Sequence, residues 1–276
     1  MKSLLHKAWL LGAGVVLAAS SANAAFTFAA TDIVLGFRGT NVGGASTSLY
    51  VNLGDQVAFS NNPSFSKDIS AALVDTFGAN WYERNDVYFG VFAGRSALTP
   101  AADPGTPGVT EPGRTVFVSS PTLTIGGGAF QNSSWNTNTL SNGITQFAGL
   151  RNDLVNGVIG ETSEGSGVGI LVNNGTNYAN SWATRVTQGT TPGYGFNNFL
   201  NIEQYFGNFD PLGEDIERDE WIVDVQRLTP GTGGTYVGSI IIDNNGLITA
   251  VPEASTGLLA LGAGLLAVTT RRRNKA

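Results

Sequence analysis

The stretch YVGSIIIDNNGLITAV, residues 236–251, indicates the fold class more clearly than any other part of the chain. Residues 236–243 and 247–251 are two runs rich in β-branched and aromatic side chains. Between them lies Asn245-Gly246, the pair that best accepts the positive φ angles of a type I′ turn. The stretch therefore predicts a β-hairpin that ends a sheet and leaves Pro252 at an exposed exit.

Upstream of this hairpin the hydrophobic pattern again has a period close to two residues, which is typical of strands. In DIVLGFR, residues 32–38, the side chains of Ile33, Leu35 and Phe37 share one face. The other predicted strands are residues 49–53, 86–93, 115–119, 122–125, 167–172 and 221–228.

Helical spacing of apolar side chains occurs in two places. Asp68 is a candidate N-cap for a helix that Gly78 ends. A second helix is predicted by Ile144, Phe147, Leu154, Val155 and Val158, with its end near Gly157 or Gly160. The fold class expected is mainly β: a single β-rich domain, sandwich or jelly-roll-like, with one or two short helices.

The first 24 residues have the three parts of a secretory signal. Lys2 and Lys7 precede an uncharged run at residues 8–19, and Ala22 and Ala24 form the A-x-A pattern that signal peptidase reads. We expect residues 1–24 to be removed by cleavage after Ala24, and the protein to be exported.

Composition excludes several classes of function for the chain beyond residue 24. The whole sequence contains no Cys and a single His, His6, which lies in the signal. Beyond residue 24, therefore, neither a Ser-His-Asp triad nor a His- or Cys-ligated metal site can form. Leaving out Lys2, Lys7, Arg271, Arg272, Arg273 and Lys275 leaves 9 basic residues against 21 acidic ones. This net charge of −12 for residues 25–253 disfavours nucleic acid as a partner.

The other end, VPEASTGLLALGAGLLAVTTRRR at residues 251–273, combines a short polar motif with an apolar run and a basic cluster. Residues 254–270 carry no charge and are 17 in number, the short limit for a membrane span. Arg271, Arg272 and Arg273 would remain cytoplasmic by the positive-inside rule. This pattern predicts a C-terminal stop in the inner membrane, after the preceding domain has been exported.

The motif Val251-Pro252-Glu253-Ala254, followed by the apolar run and the arginines, resembles the PEP-CTERM sorting signal of Gram-negative bacteria. Ala254 stands where the second proline is usual. The resemblance implies transient anchoring, cleavage near Pro252 and Glu253 by exosortase, and delivery to the outer surface or the extracellular matrix. The domains expected are residues 1–24, 25–250 and 251–276. A permanent C-terminal anchor is the alternative.

Three groups of residues are candidates for chemistry. The first is an acidic stretch that could bind Ca²⁺, although it lacks the spacing of a calcium loop. The second is an unidentified pair of carboxylates for glycan hydrolysis. The third is a set of aromatic residues that could stack on sugar rings. The acidic residues are Asp210, Glu214, Asp215, Glu217, Asp219 and Glu220, and the aromatic ones are Trp81, Tyr82, Trp135, Trp182, Tyr194 and Trp221.

None of these groups is specific enough to predict a catalytic residue, a cofactor or a metal site. The function predicted is therefore that of a non-catalytic structural or adhesive component of a biofilm or exopolysaccharide matrix. Signal peptidase and exosortase would be the processing partners, and exopolysaccharide is a further candidate partner. The alternatives are a carbohydrate-binding module and a carboxylate-dependent glycan hydrolase.

Overall fold

The computed structural model describes residues 26, 28–29, 31–40, 47–61, 65–95, 101–102, 110–111, 114–129, 135–155, 160–161, 167–172, 181–187, 199, 201–207 and 218–252. Strands dominate these residues, which confirms the mainly β class. The strands are β1 Asp32–Gly39, β2 Thr47–Asp55, β3 Ser66–Asp68, β4 Val87–Gly94, β5 Ala101–Ala102, β6 Thr110–Glu111, β7 Val116–Thr122, β8 Gly160–Glu161, β9 Val168–Val172, β10 Glu203–Tyr205, β11 Glu220–Leu228, β12 Thr235–Asp243 and β13 Leu247–Pro252.

Eleven of these strands form one antiparallel sheet, in the order β3-β13-β12-β11-β7-β4-β1-β2-β9-β8, with β10 paired to β4. β5 and β6 form a separate two-stranded ribbon. The helices are α1 Gln56–Asn61, α2 Ser70–Phe77, α3 Thr137–Val155 and α4 Trp182–Thr187, with a 3-10 turn at Trp81–Glu83. Because α1 contacts both β2 and β12, which are far apart in the strand order, the sheet must be curled.

Helices cover the faces of this sheet where a sandwich would place a second sheet. α3 packs on β4 and β7, α4 on β1, and α2 on β2. One continuous core of buried apolar side chains runs through these contacts. The mainly β prediction is thus confirmed, and the covering layer of the described part is helical.

The two faces of β1 show how the side chains are sorted. On one face, the Phe37 ring lies 5.9 Å from Phe89 and 6.3 Å from Phe206 between centroids. Trp81 and Trp221 join this cluster at 4.8 and 5.2 Å from Phe206. On the other face, Gly36 lies directly under the ring of Trp182, and a Cβ at this glycine would overlap the ring. The pleat of the strand therefore serves two different packing layers.

The final hairpin is present, but its turn differs from the one predicted. The amide of Gly246 donates to the Asp243 carbonyl at 3.0 Å, and Gly246 has φ 84° while Asn245 does not have a positive φ. This is a three-residue loop that ends in a left-handed glycine, not a two-residue type I′ turn. The Asp243 carboxylate selects it by accepting from the amides of Asn245 and Leu247 at 3.0 and 2.8 Å.

Two further sequence predictions require correction or extension. Residues 122–125 do not form a separate strand, because β7 ends at Thr122 and Gly126 turns the chain at φ 74°. The helix after Asp68 is confirmed as α2, but the prediction that Asp68 is its N-cap is wrong, because the N-cap is Ile69, which makes no side-chain capping hydrogen bond. Asp68 precedes the cap, and its carboxylate accepts from the Ser70 amide at 2.9 Å. The second predicted helix is α3, which already begins at Thr137, and the short helices α1 and α4 were not predicted.

Candidate functional site

A fork in the sheet lies beside a groove in the described structure. Residues 92–94 of β4 pair with β7, whereas residues 88–90 pair with β10 on the same side of the strand. β7 and β10 therefore diverge, and Ser119 marks the divergence by donating from Oγ to the Ile202 carbonyl at 2.5 Å. Two adjoining depressions of about 530 and 460 Å³ lie beside this fork. Each is within the size range of small-ligand sites.

The two depressions share Thr122, Leu123 and Arg218 but differ in charge. The first also includes the acidic residues Asp219 and Glu220. Of the described residues, the second has neutral hydrogen-bonding and aromatic side chains and one carboxylate, that of Glu203. Its lining residues are Pro121, Thr122, Leu123, Thr124, Gly127, Asn201, Glu203, Gln204, Tyr205 and Arg218.

Arg218 lines both depressions, and one nitrogen of its guanidinium is unsatisfied. Its Nη2 atom is buried and has no hydrogen-bond partner within the described part of the chain. A buried guanidinium nitrogen without an acceptor is costly, because it has lost its water without gaining a replacement. Of the described residues that line the groove, Arg218 is therefore the one with a buried polar atom that lacks an acceptor.

The wall of the groove at residues 123–128 is held in place by one buried carboxylate. Asp224 of β11 accepts from the Gly126 amide at 3.0 Å through Oδ1 and from the Gly128 amide at 2.7 Å through Oδ2. It also accepts from the Ser239 hydroxyl at 2.6 Å. These three hydrogen bonds form the Asp224 clamp, and Leu123 at the rim of the groove is 55% exposed. A turn rich in glycine is thereby given a defined position.

The carboxylate of Glu203 is occupied by partners inside the protein. Arg38 donates to it from Nε at 2.9 Å and from Nη2 at 2.6 Å, and Trp182 donates from Nε1 at 3.0 Å. The side chains of Arg38 and Glu203 are 8% and 1% exposed, so each buried charge is compensated by the other. Glu203 consequently brings little free negative charge to the second depression.

Two tyrosine rings continue from this ion pair towards the groove. The Arg38 guanidinium lies 4.6 Å from the centroid of the Tyr88 ring, and Tyr88 packs edge-on against Tyr205 at 6.3 Å. Burial raises the pKa of the Tyr88 hydroxyl, while the nearby Arg38 charge opposes that shift. The hydroxyl is therefore neutral near pH 7, and Tyr205 is left half-buried on the lining.

Three of the predicted sugar-stacking aromatic residues are core residues instead. Trp81, Trp182 and Trp221 are 2%, 0% and 1% exposed, so a sugar ring cannot reach them. Trp135 and Tyr82 are partly buried against the same core, and Tyr194 lies outside the described residues. Large aromatic side chains gain the most from burial, which explains why the pattern was misleading.

The acidic stretch is described only at its end. Asp210, Glu214, Asp215 and Glu217 lie outside the described residues, and Asp219 accepts from Asn244 Nδ2 at 3.0 Å. No group of three or more acidic or histidine side chains that could hold a metal ion occurs among the residues described.

The sorting motif begins inside the sheet. Val251 pairs with Ser239 and Pro252 with Gly238 as the last residues of β13, and Pro252 is exposed. The rest of the predicted signals lie outside the described residues: Ala22, Ala24, Glu253, Ala254, Arg271, Arg272 and Arg273. Of the helices that are described, none has the length and apolar character needed for a membrane span.

The groove residues were not found from the sequence. Arg218 lay within a stretch interpreted as an acidic loop, and Tyr205 belongs to a strand of only three residues. The one available signal was Arg218 itself, a basic residue between Glu217 and Asp219 that breaks the charge pattern of the acidic stretch. Nothing in the local sequence indicates that residues 121–124 and 201–205 meet, because 80 residues separate them.

Comparison with known families identifies the C-terminal segment. Residues 250–273 match the model of the PEP-CTERM protein-sorting motif. Neither the curated proteins nor the solved structures contain a match to this chain. The motif confirms the resemblance and supports an exported protein that exosortase sorts through a membrane-anchored signal.

Proposed function

We propose that this protein is a non-catalytic component of the outer surface or the extracellular matrix, released from a transient inner-membrane anchor when exosortase removes its tail. The observation that carries the proposal is the position of the PEP-CTERM match, residues 250–273, directly at the end of the last strand. The last strand of the folded domain and the sorting signal overlap at residues 250–252.

This position suits removal of the tail. β13 makes its last pairs through Val251 and Pro252, and the rest of the match follows them. Cleavage on the C-terminal side of Pro252 would leave every described strand complete, so the released domain would keep its stability. Pro252 also lacks an amide hydrogen and cannot extend the sheet edge, which favours an exposed end at this residue.

The buried acidic residues support a non-catalytic role. Asp32, Glu203 and Asp224 are the buried acids of the described part, and each accepts structural hydrogen bonds. Asp32 holds the Ala29 amide at 2.7 Å and the Asn52 side chain at 2.7 Å. Carboxylates engaged in this way are poorly placed to act as the acid and base of a glycan hydrolase.

The test is the intact mass of the protein recovered from membranes and from the medium of a host that contains exosortase, and of a matched host that lacks it. We expect a released species that starts at Ala25 and ends between Val251 and Ala254, with any attached group visible as added mass. In the host without exosortase, the protein should keep Arg271–Arg273 and remain in the membrane fraction. A Thr256→Ser variant, changed outside the short Val251-Pro252-Glu253-Ala254 motif, should be processed normally, whereas Pro252→Ala with Glu253→Ala should not.

Recovery of the same uncleaved, membrane-bound species from both hosts would contradict the proposal and favour a permanent anchor. Release of reducing ends from a glycan by the purified protein, lost when one acidic residue is changed to its amide, would contradict the non-catalytic role.

A further inference from the structure

The second depression of the groove, beside Arg218, has the chemistry of a ligand site that the sorting signal does not explain. We infer that it binds an acidic oligosaccharide, with Arg218 contacting the carboxylate of a uronic acid residue and the neutral lining contacting its hydroxyl groups. The inference goes beyond the surface role proposed above and does not depend on removal of the tail.

The charge distribution assigns the anionic group to this depression. Asp219 and Glu220 line only the first depression, so an anion there would meet two like charges. In the second depression Glu203 is already bound by Arg38 and Trp182. Among the described lining residues, Arg218 is therefore the charged group left to pair with a ligand, and a guanidinium can contact both oxygens of a carboxylate at once.

The remaining lining favours a sugar over other anions. Asn201 and Gln204 bring amides and Thr124 brings a hydroxyl, whereas the hydroxyl proton of Thr122 is already donated within the wall. Such groups both donate and accept hydrogen bonds, as sugar hydroxyls do. Half-buried Tyr205 adds an aromatic surface, and aromatic rings pack well against the apolar face of a pyranose.

The site is also held in a defined shape, which lowers the cost of binding. Asp224 fixes the amides of Gly126 and Gly128, which flank the lining residue Gly127. Thr122 Oγ1 donates to the Thr124 carbonyl at 2.8 Å and accepts from the Thr124 amide at 3.2 Å. A Cβ at Gly127 would meet the Thr124 hydroxyl, so only glycine keeps the wall open at this point.

The test is calorimetric titration of the purified full chain in mild detergent with trimers of galacturonate, glucuronate and mannuronate. The methyl ester of each trimer is the matched neutral probe, because it keeps every hydroxyl and removes the charge. We expect at least one acid trimer to bind, its ester to bind at least about tenfold more weakly, and added salt to weaken the acid only. Penta-glutamate tests an acidic peptide as the ligand.

Arg218→Gln should weaken binding of that trimer at least about tenfold, which corresponds to the loss of one charge-assisted hydrogen bond. Arg151→Gln on α3 is the control, since Arg151 does not line the groove, and it should bind as the unchanged protein does. Equal unfolding temperatures for the two variants would show that Arg218→Gln has not perturbed the fold.

Three results would overturn the inference: binding of none of the acid trimers by the unchanged protein, equal binding of acid and ester, or equal losses in the two arginine variants. Binding of penta-glutamate as tightly as the trimer would assign the groove to an acidic peptide and would also overturn it. None of these results bears on cleavage by exosortase, so the sorting proposal is tested separately.

Discussion

Replacing Asp224 with Asn should show how much of the stability depends on the clamp around residues 126–128. Asn keeps the shape of the side chain and one oxygen, so the bonds at Oδ1 from the Gly126 amide and the Ser239 hydroxyl can persist in weaker, uncharged form. At the Oδ2 position, 2.7 Å from the Gly128 amide, the new NH₂ group would oppose a donor with a donor.

The magnitude follows from these contacts. A hydrogen bond to a charged group contributes about 1.5–3 kcal/mol, and a buried donor left without an acceptor costs about 1–3 kcal/mol. Because the two effects overlap at the Gly128 amide, we expect a loss of about 2–4 kcal/mol in the free energy of unfolding. For a domain of this size, that corresponds to a decrease in Tm of roughly 4–16 °C.

The assay is urea unfolding followed by tryptophan fluorescence, with Asp219→Asn as the matched control. Asp219 is exposed and accepts a single side-chain hydrogen bond from Asn244, so its change should cost less than about 1 kcal/mol. Unchanged m-values would show that both variants unfold in the same way. If Asp224→Asn lost no more stability than the control, the carboxylate would not be the group that fixes the wall of the groove.

Three further predictions concern β1 and its neighbours. Gly36→Ala places a methyl group against the rigid ring of Trp182 and should lower the free energy of unfolding by about 3 kcal/mol, measured by urea unfolding. Arg38→Met leaves the Glu203 carboxylate buried without its cation and should cost about 3–5 kcal/mol, whereas adding Glu203→Leu should recover much of this loss in a double-mutant cycle. The pKa of Tyr88 is raised in the folded state, so the unfolded chain releases this proton first as the pH rises. The free energy of unfolding should therefore fall above about pH 10. Tyr88→Phe should reduce that fall, measured by urea unfolding at about pH 9 to 11. A pH profile identical in the two proteins would contradict the environment assigned to Tyr88.

Features with a local physical cause could be predicted from the sequence. A period close to two residues predicted β1, β2, β9 and β11, and a run that is apolar on both faces predicted the central strand β4. The helical spacing after Asp68 predicted α2; Asp68 supplies an acceptor for the first helical amide, that of Ser70, although the N-cap position itself is Ile69. The C-terminal motif predicted the sorting signal because its motif, apolar run and arginines are contiguous.

Features that depend on distant partners could not be predicted in this way. The turn after β7 ends a run that looks like a strand, because Asp224 captures its amides from β11. Trp182 becomes a core residue because Gly36 leaves space for its ring. Arg218 becomes a candidate ligand contact only because it lies where β7 and β10 separate. These strands separate because they pair with different parts of β4. Residue type and spacing thus determine the local backbone structure and the sorting signal. Burial, strand pairing and the shape of the groove instead depend on contacts between segments that are far apart in the sequence, and no local pattern indicates those contacts.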